Sequence, residues 1–164
     1  MKLKIITAAA VLAVSSLAAR AATIDLGPLD GSSPDSSSGV SSKFALNASI
    51  ADTWTFTLDT ASQVSFGAQQ SFSALSNAIR NFSGVLLGYG PLSLTTSSTQ
   101  ANLSWSGTLA AGSYTVNISG LSAARNTQYT TTLAAAPVPE PETYALLLAG
   151  LGVVGFVALR RKQG

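Results

Sequence analysis

A chain of 164 residues leaves room for one folded domain once terminal signals are set aside. It has no Cys and no His, which excludes disulfide staples, Ser-His-Asp and Cys-His catalysis, and ordinary zinc sites. The formal charge of +2 misleads, because between residues 22 and 136 only Lys43, Arg80 and Arg125 oppose five aspartates, a balance of −2. With no basic patch there, nucleic acid is not an expected partner.

The N-terminus reads Met1-Lys-Leu-Lys4, then a largely apolar run from Ile5 to Leu17, then Ala19-Arg20-Ala21. A basic start, an apolar stretch and an A-x-A site predict a secretory signal peptide over residues 1–21. Cleavage is expected after Ala21, with Ala19 and Ala22 as alternatives.

The exported domain is expected over residues 22–136. Thr23-Ile-Asp-Leu26 alternates briefly, whereas Asp30 to Gly39 reads as turn chemistry throughout. Phe44 to Ile50 alternates again. Asp52-Thr-Trp54-Thr-Phe56-Thr-Leu58 is the clearest strand, with Trp54, Phe56 and Leu58 on one face and threonines on the other. Strands are expected over 63–66, 82–89, 100–106, 113–119 and 129–133. Residues 73–80 fit a helical turn or a crossing loop, and 134–137 a linker. Short strands with turn signals every 8 to 12 residues predict an all-β, antiparallel β-sandwich, with a barrel as the alternative. The segment Leu109 to Gly120 is similar to the late hairpin of secreted jelly-roll-like sandwiches.

Within this domain the chemistry-bearing residues are few. Asp25, Asp30, Asp35, Asp52 and Asp59 are the only carboxylates that could form a glycosidase pair. Asp30 and Asp35 sit where turns favour Asp, and Asp52 and Asp59 flank a strand. Asp30 and Asp35 lack EF-hand spacing, so turn capping is expected before calcium binding. No catalytic residue, metal site or cofactor is therefore expected. Trp54 and Trp105 share faces with apolar neighbours and read as core, which leaves Tyr89 and Tyr129 as the candidates for stacking on a sugar. Asn47, Asn81, Asn102 and Asn117 each open an N-x-S triplet. Ordinary turn and strand usage accounts for these as well as glycosylation does.

The C-terminal residues 137–164 differ in kind. Val138-Pro139-Glu140-Pro141-Glu142-Thr143 leads into sixteen residues without a charge, Tyr144 to Leu159, followed by Arg160-Arg161-Lys162. The uncharged run is apolar on every face and predicts a transmembrane helix over 144–159. At about 1.5 Å per residue it reaches roughly 24 Å, short of a hydrocarbon core of about 30 Å, so its ends must help. Tyr144 suits the headgroup level, and the basic triplet marks a cytoplasmic anchor. Gly150-Leu-Gly152-Val-Val-Gly155 spells the dinucleotide fingerprint but lacks the downstream acid, so small residues on a membrane helix are the better reading.

Pro139-Glu140-Pro141, a short hydrophobic helix and the Arg160-Arg161-Lys162 end together resemble the PEP-CTERM sorting signal. The resemblance implies an exported bacterial protein, held transiently in the inner membrane and processed near Pro139, Glu140 and Pro141 by an exosortase-type protease. It further implies a cell-surface or extracellular-matrix location and association with exopolysaccharide and biofilm. Ile50-Ala-Asp52-Thr-Trp54 also resembles the F-x-D-x-F element of one PEP-CTERM subfamily, with Ile50 and Trp54 in place of both Phe residues. The expected function is a non-enzymatic structural or adhesive surface protein. The alternatives are a carbohydrate-binding module and a carboxylate-based glycosidase.

Overall fold

The structure, a computed structural model, describes residues 21–30, 33–138 and 141–162. The expected signal peptide therefore lies outside the described residues except for Ala21. Among the described residues, ten strands precede one α-helix. They are β1 (Thr23–Leu29), β2 (Asp35–Val40), β3 (Ser49–Leu58), β4 (Ser62–Ser71), β5 (Arg80–Leu86), β6 (Gly90–Pro91), β7 (Ser93–Thr96), β8 (Gln100–Leu109), β9 (Gly112–Leu121) and β10 (Thr130–Pro137). A 3₁₀ turn (Leu75–Asn77) falls between β4 and β5, and helix α1 (Pro141–Lys162) ends the chain.

Two five-stranded sheets form a sandwich, in the orders β1-β3-β9-β5-β6 and β2-β10-β4-β8-β7. The pairs β3·β9 and β4·β8 are nested. The chain runs out along β3 and β4, returns along β8 and β9, and changes sheet at each corner. That doubled-over hairpin is the wrapping of a jelly roll. The pairing is antiparallel with one exception: β1 runs parallel to β3, with Thr23 beside Thr53 and Ile24 beside Trp54. A parallel neighbour arises because β1 and β3 are separated by a long excursion through β2 in the other sheet.

Period-two alternation places the core. Trp54, Phe56 and Leu58 on β3, with Val116 and Ile118 beside them on β9, face Val64 and Phe66 on β4 and Leu103 and Leu109 on β8, all buried. Each such side chain stabilises the fold by about 1.5–3 kcal/mol on burial, which is the means open to a domain without cysteine.

Three expectations need correction. Residues 35–40 form strand β2, although Asp35-Ser-Ser-Ser-Gly-Val has turn composition. Tertiary pairing overrides propensity: β2 is an edge strand registered along β10, and Ser37 Oγ donates to Leu26 O across 2.7 Å, closing that side of the sandwich. Its glycine also has a packing role. A Cβ on Gly39 would lie 2.4 Å from Cζ3 of Trp54, so the indole occupies the space that a side chain would take. Residues 134–137 are not a linker but the second half of β10, paired with β4 as far as Ser62. Residues 44–48 are not strand; Phe44 makes an isolated bridge to Thr127, and β3 begins at Ser49.

Candidate functional site

Three places hold the residues that the sequence marks out: the buried face of β3, one open end of the sandwich, and the C-terminal segment.

On β3, Ile50, Asp52 and Trp54 all point inward and are at most 1% exposed. Asp52 therefore does not flank the strand as an ordinary surface acid; it is a buried carboxylate within it. Tyr129, just before β10, donates its phenol proton to Asp52 Oδ2 over 2.6 Å and accepts from Trp54 Nε1 at 3.0 Å. Ala22 N donates to Asp52 Oδ1 at 3.2 Å. Phe44 stacks beside the Tyr129 ring and Phe82 tilts against it, with centroids 6.4 and 5.6 Å away. Tyr129 is thus the hub of the core. With 1% exposure it has no open face for a sugar, which corrects its assignment as a stacking residue. The missed signal was parity: Tyr129 shares its alternation with Thr131 and Leu133, both buried. Burial, reinforced by the bond to Asp52, pushes the Tyr129 phenol well above its ordinary value.

Tyr89 is half-exposed, but it does not end a strand over 82–89, because β5 stops at Leu86. It sits in the β5–β6 turn between Gly88 (φ +83°) and Gly90 (φ +113°), and Tyr89 N closes the turn onto Leu86 O. Those left-handed angles are open to glycine, and they let the turn fold its tyrosine back over the mouth of the sandwich. Tyr89 is 50% exposed, with its ring edge-on to Trp105 at 6.1 Å and tilted to Tyr114 at 5.7 Å. Trp105 lies half-buried along its own strand over Gly107, where a Cβ would meet the indole at 2.9 Å. The result is a partly exposed aromatic cluster, backed by the Tyr114–Phe56 stack at 5.3 Å.

Two clefts lie elsewhere. An open groove of about 540 Å³ crosses the outer face of β4 and β10, with Gln63, Ser65 and Ser106 along it and Asp35 as its carboxylate. Another, of about 640 Å³, brings Lys43 and Arg125 together beside Asn126. Asp25 and Asp35 serve their own turns: Asp25 Oδ1 accepts from Gly27 N and Thr55 Oγ1, and Asp35 accepts from Asp30 N and Ser36 N. Among the described residues, no group of three or more His, Cys, Asp or Glu side chains could hold a metal. Three of the four N-x-S asparagines also find structural roles. Asn47 and Asn81 adopt φ of 59° and 52°, a region Asn tolerates, and Asn117 Oδ1 accepts from Thr53 Oγ1.

The C-terminal segment leaves the sandwich abruptly. Val138 N still donates to Ala61 O at 3.1 Å, continuing the sheet pattern of β10, and α1 begins at Pro141. Proline suits the first turn of a helix, where its missing N–H is not needed. Around α1 the large apolar side chains are exposed on every side, including Leu146 at 78% and Phe156 at 67%. Gly150, Gly152 and Gly155 fall within the helix, so they do not form a strand-to-helix phosphate loop. Among the described residues no helix is long and apolar enough to cross a membrane, so the expected span over 144–159 is not shown.

Residues 137–162 match the family model of the PEP-CTERM protein-sorting motif. The C-terminal segment of this chain is a PEP-CTERM sorting motif. Such a motif marks a protein for export and for processing by an exosortase. Its first matched residue, Pro137, is also the last residue of β10, so the PEP-CTERM segment begins inside the sheet. Pro139 and Glu140 lie outside the described residues, and Pro141 opens α1. Arg160 and Arg161 are exposed in its last turn, with Lys162 as its final residue. The PEP-CTERM match does not extend to Ile50, Asp52 and Trp54.

No curated protein matches the sequence. Among solved structures, the pre-peptidase C-terminal domain of collagenase from Bacillus anthracis is similar at 9% identity and TM-score 0.43, over 68% of this chain and 93% of that one. CBM35 from Cellvibrio japonicus Abf62 is similar at 16% identity and TM-score 0.37, over 58% and 74%. A β-glucosidase from Paenibacillus barengoltzii is similar at 12% identity and TM-score 0.35, over 70% of this chain but 11% of the enzyme. At these identities and TM-scores none of the three bears on what the PEP-CTERM chain binds or does.

Proposed function

We propose that this chain is an exported, non-enzymatic surface or matrix protein whose sandwich is delivered by its PEP-CTERM motif. The motif at residues 137–162 carries the reading. In this scheme residues 1–21 direct export and are removed. Helix α1 inserts as a transient stop-transfer anchor, and Arg160, Arg161 and Lys162 remain cytoplasmic. The exposed apolar surface of α1 supports insertion, because Leu146, Leu147, Leu148, Val153 and Phe156 would otherwise lie bare to water. Tyr144 and the basic end compensate for the short apolar run by reaching the interfaces. An exosortase then cuts near Pro139, Glu140 and Pro141, freeing the sandwich to act structurally or adhesively in exopolysaccharide or biofilm.

The test is the intact mass and C-terminus of the protein recovered from its native cells and medium. A C-terminus between residues 139 and 143 is expected. A chain still ending at Gly164 and found only with membranes would overturn processing and leave an anchored domain.

A second reading, carbohydrate binding, is favoured by one observation: Tyr89 is half-exposed and braced by Trp105. An aromatic ring held rigid at a domain end is a platform on which a pyranose can stack. Retention of the processed protein on purified exopolysaccharide is its test, with loss of retention in Tyr89→Ala as the expected result.

A further inference from the structure

Asp52 is a buried acid that the sorting scheme leaves without a role. Its carboxylate is 1% exposed on the inner face of β3 and takes two donors, the Tyr129 hydroxyl at 2.6 Å and Ala22 N at 3.2 Å. In the uncut chain both donors are neutral, since Ala22 N is an amide. Among the described residues no Lys or Arg side chain bonds to Asp52; Lys43 and Arg125 line a cleft of their own. Tyr129 is the titratable group in contact with it, and its register partner on β9 is Ile118. A carboxylate buried without a cation is strongly destabilising.

A cation is one peptide bond away. We propose that cleavage of the Ala21–Ala22 bond releases an α-ammonium on Ala22 that pairs with Asp52, so that export processing completes the core. This rests on the reading of residues 1–21 as a removed signal. The reaction is hydrolysis by a signal-type peptidase. Water adds across the peptide bond, Ala21 leaves as a carboxylate, and the Ala22 nitrogen becomes an ammonium carrying the proton released.

The geometry is already set for the product. Thr53 N donates to Ala22 O at 2.8 Å, and the parallel register continues through Thr23 and Ile24, so the cut detaches no strand. Ala21 is exposed and Ala22 partly buried, which places the bond where β1 enters the sheet. The other two candidate sites fail chemically. A cut after Ala22 removes the donor nitrogen, and a cut after Ala19 leaves it a neutral amide.

The α-amine gains an anionic partner on folding, so its pKa rises above the ordinary range of about 7.7–8.0. Its stabilisation is then fully present below that range and is lost as pH rises through the folded value.

The experiment takes the protein as exported and processed by its host, sequences the N-terminus, and measures acylation of the α-amine by a succinimidyl ester at pH 7.5. Peptide mass spectrometry separates that amine from Lys43. An N-terminus at Ala22 is expected, with labelling about sevenfold slower than in urea, the change in free amine at this pH for one pKa unit. Asp52→Asn should restore fast labelling. Because Asp52 also accepts from Tyr129, the N-acetylated mature protein, which keeps that bond, is compared as well. It should melt lower than the free-amine form at pH 7 and equally at pH 10. Equal labelling rates folded and unfolded, or equal melting at pH 7, would overturn the ion pair. Another N-terminus would overturn the Ala21–Ala22 assignment, and a retained leader would overturn the export reading itself.

Discussion

Tyr129 and Asp52 join the two sheets through a 2.6 Å hydrogen bond, one residue leading into β10 and the other in the middle of β3. Both are buried, and Trp54 Nε1 completes the relay by donating to the same phenol oxygen. A sandwich without disulfides thus carries a polar fastener at the centre of its apolar core. Tyr129→Phe keeps the ring contacts with Phe44 and Phe82 but leaves the Asp52 carboxylate and the Trp54 N–H short of a partner. A loss of about 2–4 kcal/mol is expected, read as a lower urea midpoint at unchanged slope.

The same phenol sets an alkaline limit. Its pKa is raised in the folded state, so the stability involved is intact below the unfolded value of about 10 and lost as pH rises past it. Above pH 10 the unfolded chain gives up the Tyr129 proton and the folded chain does not. Stability should fall by about 1.4 kcal/mol per pH unit from this group, and Tyr129→Phe should flatten that slope. Melting temperatures of both proteins between pH 8 and 11 check this.

Gly39 is expected to be intolerant despite its place on an edge strand. Alanine there would bring Cβ to 2.4 Å from the Trp54 ring, and Trp54 is held by its bond to Tyr129. Gly39→Ala should cost about 1–3 kcal/mol, the range for overpacking, and shift Trp54 fluorescence. Substituting the neighbouring Ser38, which is exposed, is the control.

Tyr89 makes the opposite prediction, since it is half-exposed. Tyr89→Ala removes edge contacts with Trp105 and Tyr114, and about 0.5–1.5 kcal/mol should be lost. Retention on exopolysaccharide, measured on the folded variant, separates a sugar platform from a mere plug. A platform loses retention, whereas a plug keeps it.

Much of this architecture is legible in the residues themselves. The alternation of Trp54, Phe56 and Leu58 gives the inner face of β3, and that of Tyr114, Val116 and Ile118 gives β9. The strand expected over 82–89 is present but stops at Leu86, and Tyr89 lies in the turn after it. Other features depend on partners distant in sequence. Strand β2 owes its form to β10, which lies some ninety positions on, and its own composition argues for a turn. Asp52 looks like a strand-flanking surface acid until Tyr129 is seen to reach it from the other sheet. Tyr129 is a stacking candidate in the sequence only because Trp54 and Trp105 pair with apolar neighbours; its parity with Leu133 points inward. The tail is legible from its composition because its chemistry is local, from the Pro-Glu-Pro to the basic end.

The late ending of β10 has a mechanical consequence. Val138 is still tied to Ala61, and α1 begins at Pro141, so only residues 139 and 140 lie between the last sheet bond and the helix. A tether of that length spans at most about 10 Å. On the proposed scheme, a protease reading several extended residues around Pro139 and Pro141 would have too little slack on the fully zipped domain. Under the processing proposed above, the final rungs from Ala135 to Val138 would have to unzip from β4 and Ala61 before the blade could close. Cutting and fraying would then be one event, and a crosslink pinning Ala136 to Gln63 should slow release without touching the motif.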